Sequence, residues 1–125
     1  MVNRTRNSNS ELLIEAIVEG IRRKKGLDII NIDLKKLGNT ECDNFIICHG
    51  NSNTHTDAIA HSVEETVEEL ENTRVWHKDG YQNAQWVLLD YGDVMVHVFQ
   101  EQYRRFYDLE ELWADARIIQ IESES

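Results

Sequence analysis

The chain has 125 residues, 41% of them apolar and 29% charged; that is one domain's worth and excludes both a second core and a disordered chain. Its formal charge is −10, from 23 acidic residues against 13 Lys and Arg, which excludes a cationic grip on phosphates as the main mode of action. A basic protein surface is the expected contact on any nucleoprotein, and direct sequence-specific nucleic-acid binding is not expected.

Residues 1–9 are expected to be disordered, 10–118 to form the domain, and 119–125 to be a loose acidic tail. Ser8 and Glu11 fit a capping box. Leu12, Leu13, Ala16, Ile17 and Ile21 then mark one helical face, with Glu19 and Arg23 as a four-residue ion pair. The run Arg22–Lys25 followed by Gly26 reads as a helix end with a left-handed glycine cap; a contact with phosphate or an acidic surface is the alternative. Leu27–Leu34 alternates as a strand, a turn follows over 35–40, and Asn44–His49 is a short apolar strand. After the turn-rich 50–54 comes a helix from about His55 to Asn72. Its inner face is Ile59, Val63, Thr66, Val67 and Leu70, and its outer face is acidic, with no Lys or Arg of its own.

A glycine-containing loop over 79–83 leads to two strands, Gln85–Leu89 and Val94–Phe99, joined at Asp90-Tyr91-Gly92-Asp93. Short helices are expected over 102–107 and 109–116, with Asp108 capping the second, and Arg117–Ile121 is a last apolar stub. The elements predict an α/β fold, a mixed sheet of about five strands with helices packed on it.

Cys42 and Cys48 flank one extended stretch and would stand roughly 20 Å apart at about 3.3 Å per residue, beyond disulfide reach, so a reducing cytosol is expected. No apolar run approaches the roughly 18 residues of a membrane span, and the first ten residues lack a secretion signal. No membrane partner is expected, and the expected home is a bacterial cytoplasm. No histidine or cysteine spacing fits a metal site, and no phosphate-binding or nucleophile motif is present, so neither a metal, a cofactor nor catalytic residues are expected. A metal-dependent nucleotidyltransferase using Asp90 and Asp93 is the enzyme alternative, but the two carboxylates flank a turn instead of alternating along a strand.

If Leu89 faces Val94, the hairpin has two unlike faces. Val87, Val96 and Val98 make an aliphatic one. Trp86, Leu88, Met95, His97 and Phe99 make a mixed one, with Asp90 and Asp93 at its tip. Indole, thioether, imidazole and carboxylate together suit an interface better than a core.

The segment Trp86–Phe99, WVLLDYGDVMVHVF, followed by Arg104–Ala116, RRFYDLEELWADA, resembles the ribosomal silencing factor (Iojap-like) family. Asp43–His55, DNFIICHGNSNTH, resembles the family's D-x-F-[IV]-[IV]-x-x-G-x-S segment, and the Gly80 loop fits its third element. Thr54 stands where the family usually has Arg, so no role passes to it. The resemblance covers about residues 10–116 and implies a nucleotidyltransferase-like topology without that activity. It further implies binding to the large ribosomal subunit through its protein fourteen, a block on small-subunit joining when nutrients are limiting, and a homodimer in the free state. Trp86, Leu88, Asp90, Tyr91, Gly92, Asp93, Met95 and His97 are the candidate partner-binding residues. Asp43, Phe45, Gly50, Ser52, Gly80, Arg105, Tyr107, Leu109, Glu110 and Trp113 match the family motifs, and their expected role is chiefly to hold the fold.

Overall fold

A long helix, α1 (Val2–Arg23), opens the chain. A computed structural model describes residues 2–38 and 41–122, with side chains from Ser10 onward. The helix begins upstream of the expected capping box, whose Ser8 side chain lies outside the described residues; residues 2–9, expected to be disordered, extend the helix. Once nucleated, a helix adds residues at little cost. At its end Lys25, not Gly26, takes the left-handed conformation, with φ 58°. Gly26 is needed for space instead: its N–H reaches the Ile21 carbonyl at 2.9 Å, and a Cβ would run into the Ile21 side chain.

Strand β1 (Leu27–Asp33) and a 3-10 turn (Lys35–Leu37) lead to β2 (Asn44–Gly50). Helix α2 (Asn53–Glu71) follows, capped by Ser52, whose Oγ accepts from the His55 N–H at 3.0 Å. Short β3 (His77–Asp79), then β4 (Trp86–Asp90) and β5 (Val94–Gln100), complete the middle of the chain. Helices α3 (Glu101–Tyr107) and α4 (Leu109–Leu112) and strand β6 (Arg117–Ile121) close it. Asp108 caps α4 as expected, through Glu111 N–H.

Among the described residues the sheet has six strands, in the order β3-β4-β5-β2-β1-β6. Only β2–β5 is parallel among these pairs. The count exceeds the expected five because, beyond the four strands read from the sequence, β3 pairs with β4 and the apolar stub pairs with β1, from Ile29↔Ile121 to Asp33↔Arg117. Residues 119–121, expected to begin a loose tail, are therefore strand.

α1 and α2 cover one face. Ala16, Ile17, Ile21, Ile59, Val63 and Val67 meet Ile46, Val87, Leu89, Val96 and Val98 there. Leu12 and Leu70, assigned to the inner faces by periodicity, are exposed at the rim. The acidic face of α2 is less bare than its own sequence suggests: Glu69 pairs with Arg23, Glu68 with Arg74 and Glu64 with Lys78. The cations come from other elements.

The two helices touch backbone to backbone at Gly20. A Cβ there would stand 2.7 Å from Val63 Cα, and Ser62 Oγ donates to the Gly20 carbonyl at 2.7 Å. Gly20→Ala is therefore expected to lower stability by about 1–2 kcal/mol, although alanine is the better helix former. A thermal melt checks this; a Tm at or above the parent's would refute the close-approach argument.

Candidate functional site

The other face of the sheet is covered only in part by α3, α4 and Trp113, over Ile30, Ile32, Ile47, Phe99 and Leu109. The hairpin register differs from the expected one by two residues: Leu89 faces Val96 and Trp86 faces Phe99. A two-residue slip preserves the side-chain alternation, so the two faces come out as read from the sequence. Trp86, Leu88 and Met95 are half-buried on the mixed face.

Trp86 belongs to an aromatic row. Trp113 meets Phe45 edge-on at 5.8 Å, and Phe45 meets His97 at 4.6 Å. His97 lies beside Trp86, whose indole N–H donates to His97 Nδ1 at 3.1 Å. Trp86 stacks on Phe99 at 4.9 Å and touches Tyr107 at 4.8 Å; Phe106 follows at 5.1 Å from Tyr107. Phe106 and Leu112 are 76% and 69% exposed. Offset and edge-on ring pairs of this kind stabilise a shared apolar surface.

His97 is only 5% exposed, so it supports Trp86 from below instead of standing beside it on the surface. Accepting the indole N–H fixes its neutral tautomer, with the proton on Nε2. Burial pushes its pKa down to about 4. His49 is also held below its ordinary value, by burial and then by Arg104. Below about pH 6.5 the unfolded chain therefore takes up protons that the folded one refuses. Stability should be full at neutral pH and fall as pH drops, with His97 alone accounting for about 2 kcal/mol by pH 5. Urea midpoints at pH 7.5 and 5 check this; equal midpoints would refute it.

Tyr91 does not join the face. It packs against the core beneath the helices, its hydroxyl is buried, and burial with nearby Glu64 and Glu68 raises its pKa. The alternation through Val87 and Leu89 simply continues to Tyr91 and places it on the aliphatic side. The tip itself is tied down: the Asp93 carbonyl accepts from the Asp43 and Asn44 N–H groups, and Asp90 Oδ1 accepts from Gly92 N–H, whose φ is 90°. Asp90 and Asp93 thus sit half-buried beside the mixed face. Among the described residues no group of three or more His, Cys, Asp and Glu is arranged to hold a metal.

The motif residues divide. Gly50 lies close to the start of α2, where a Cβ would stand 2.9 Å from Thr56 N. Thr54 is exposed on the first turn of α2. Leu109 is core, whereas Phe45, Tyr107 and Trp113 belong to the aromatic row. Arg105 is exposed and pairs with Glu101, one turn away. Its neighbour Arg104, which sequence reasoning passed over, is the buried one, 8% exposed. It donates to the Asp28 carbonyl at 2.7 Å, meets His49 Nδ1 at 2.9 Å and pairs with Glu110 at 3.0 Å. Nothing in the spacing of Arg104 and Glu110, six apart on separate helices, signals the pair. Phe106 was missed because an exposed apolar residue leaves no periodic trace, whereas Leu112, whose spacing from Leu109 and Trp113 suggests core, is exposed because α4 ends there after a single turn.

The protein is thus an α/β frame with one helix-covered face and one half-open aromatic face. A family model described as "Ribosomal silencing factor during starvation" matches residues 7–125. The ribosomal silencing factor RsfS of Halalkalibacterium halodurans is 39% identical over 92% of this chain and 96% of its own length. That of Bacillus subtilis is 34% identical over 91% and 95%. A crystal structure of a Chromobacterium violaceum protein, 36% identical, superposes with a TM-score of 0.74 over 86% of this chain and 85% of that one. The chain belongs to the ribosomal silencing factor family, a family of ribosome-associated translation regulators. No helix among the described residues is long and apolar enough to cross a membrane.

Proposed function

We propose that the chain binds the large ribosomal subunit through its protein fourteen and blocks joining of the small subunit, repressing translation when nutrients are limiting. The observation that carries this reading is the half-open aromatic face, with Phe106 exposed at its border and Asp90 and Asp93 half-buried at the hairpin tip. A half-buried aromatic patch with acids beside it suits a basic protein surface. The net charge of −10 steers the chain toward such a surface and disfavours bare RNA. Nothing need be catalysed. A protein bound at the joining surface excludes the other subunit by its volume, and its negative charge repels the RNA of that subunit. The same face offers a free chain a second copy as partner, so a homodimer in the cytoplasm gives way to a monomer on the ribosome.

Sucrose-gradient co-sedimentation with separated subunits tests the proposal. The expected result is association with large subunits, none with small ones, and fewer joined ribosomes when the chain is added first. Equal association with both subunits, or with neither, overturns it.

A further inference from the structure

A cavity of about 460 Å³ lies between the loop over 80–85 and the end of α3, beside the aromatic row. Trp86 and Tyr107 wall it, and Asp79, Gln82 and Gln85 border it. Lys78 borders it too, but its ammonium stands 3.3 Å from Glu64 and 5.8 Å above the Tyr81 ring. Among the described residues no cation pairs with Asp79, whose Oδ1 accepts from the Gly80 N–H at 2.9 Å. The cavity therefore offers one carboxylate with no cation paired to it, side-chain amides and two rings. Such a set attracts a flat cation rich in donors. A guanidinium fits: it is planar, weakly hydrated, stacks on aromatic rings and carries five N–H groups. An ammonium is compact, strongly hydrated and gains less from the rings.

The cavity is also preformed. Gly80 has φ 95°, and a Cβ there would collide with the Trp86 carbonyl. Ala84, with φ 55°, closes the loop through its N–H on the Gly80 carbonyl at 3.0 Å. A site already in its bound shape loses little entropy on binding.

We propose that this cavity is a socket for an arginine side chain of the protein partner, its guanidinium laid against Trp86 and Tyr107 and paired with Asp79. The identity of that partner rests on the function proposed above; the guanidinium preference does not. Two measurements on the full chain test it. In the first, N-acetyl-arginine methylamide and N-acetyl-lysine methylamide are titrated while amide and indole NMR signals are followed. The arginine compound should shift the signals of residues 79–86 and the Trp86 indole, and the lysine compound should shift them far less. In the second, Asp79→Asn, which keeps the acceptor for Gly80 but loses the charge, should weaken binding to purified large subunits about tenfold at low salt. Equal response to the two compounds, or no response, overturns the socket, as does unchanged subunit binding by Asp79→Asn. If the parent chain fails to bind large subunits while the arginine-selective shifts persist, the socket stands and the proposed function falls.

Discussion

Trp86→Ala should weaken binding to large ribosomal subunits by about 30-fold or more, the 2 kcal/mol expected of a central aromatic anchor. Trp86 is where the mixed face converges: it stacks on Phe99, touches Tyr107 and hands its N–H to His97. Truncation removes the anchor, leaves His97 Nδ1 without its donor and uncovers Phe99, so some loss of fold stability accompanies it. Trp86→Phe separates the two effects. It keeps a ring over Phe99 and should retain most of the binding while losing only the hydrogen bond. Subunit binding and a thermal melt on each variant decide the matter. A folded Trp86→Ala chain that binds like the parent would remove Trp86 from the interface.

The largest loss of stability is expected from Arg104→Leu, about 3–5 kcal/mol in a urea unfolding experiment. One guanidinium joins four elements: α3, which carries it, the bulge of β1 at Asp28, His49 of β2, and Glu110 of α4. A leucine fills the volume but leaves the Asp28 carbonyl, His49 Nδ1 and the Glu110 carboxylate without that partner. Arg104→Lys should recover only part of the loss, because a single ammonium cannot span carbonyl, imidazole and carboxylate at once. A midpoint within error of the parent's for Arg104→Leu would show that water replaces the arginine without cost. Arg105→Leu, on the exposed side of the same helix, serves as the control and should be close to neutral.

The sequence made the frame legible where local physics governs it. Hydrophobic alternation placed β1, β4 and β5 and a continuous apolar run placed β2, and the faces of the hairpin survived a two-residue error in register because the strand period is two. The Asp108 cap was legible for the same reason: a single side chain closes onto a nearby N–H. The errors lie where distance in sequence or choice among neighbours decides. β6 finds its partner β1 across most of the chain, and nothing within Arg117–Ile121 shows which strand it will join. Arg104 and Arg105 are chemically alike, and only the packing of α3 selects which is buried. Tyr91 was a candidate contact only as part of the Trp86–Phe99 segment, and its spacing from Val87 and Leu89 already places it on the aliphatic face. Lys25 took the left-handed position because Gly26 was required for contact with Ile21. Phe45 was legible as a motif residue, but its place between His97 and Trp113 depends on the parallel pairing of β2 with β5.

The two cysteines have a practical consequence. Neither forms a disulfide and both are buried, and burial pushes the Cys42 thiol up to about 11 and that of Cys48 up to about 12. Almost no thiolate exists at neutral pH, so alkylating reagents should leave both untouched. Gln120 is exposed on β6, four strands from β4, or roughly 19 Å at about 4.8 Å per strand. A Gln120→Cys chain could therefore carry a single fluorophore with its native cysteines in place. The dye would sit at the opposite edge of the sheet from Trp86, so arrival and departure on surface-tethered large subunits could be timed one molecule at a time.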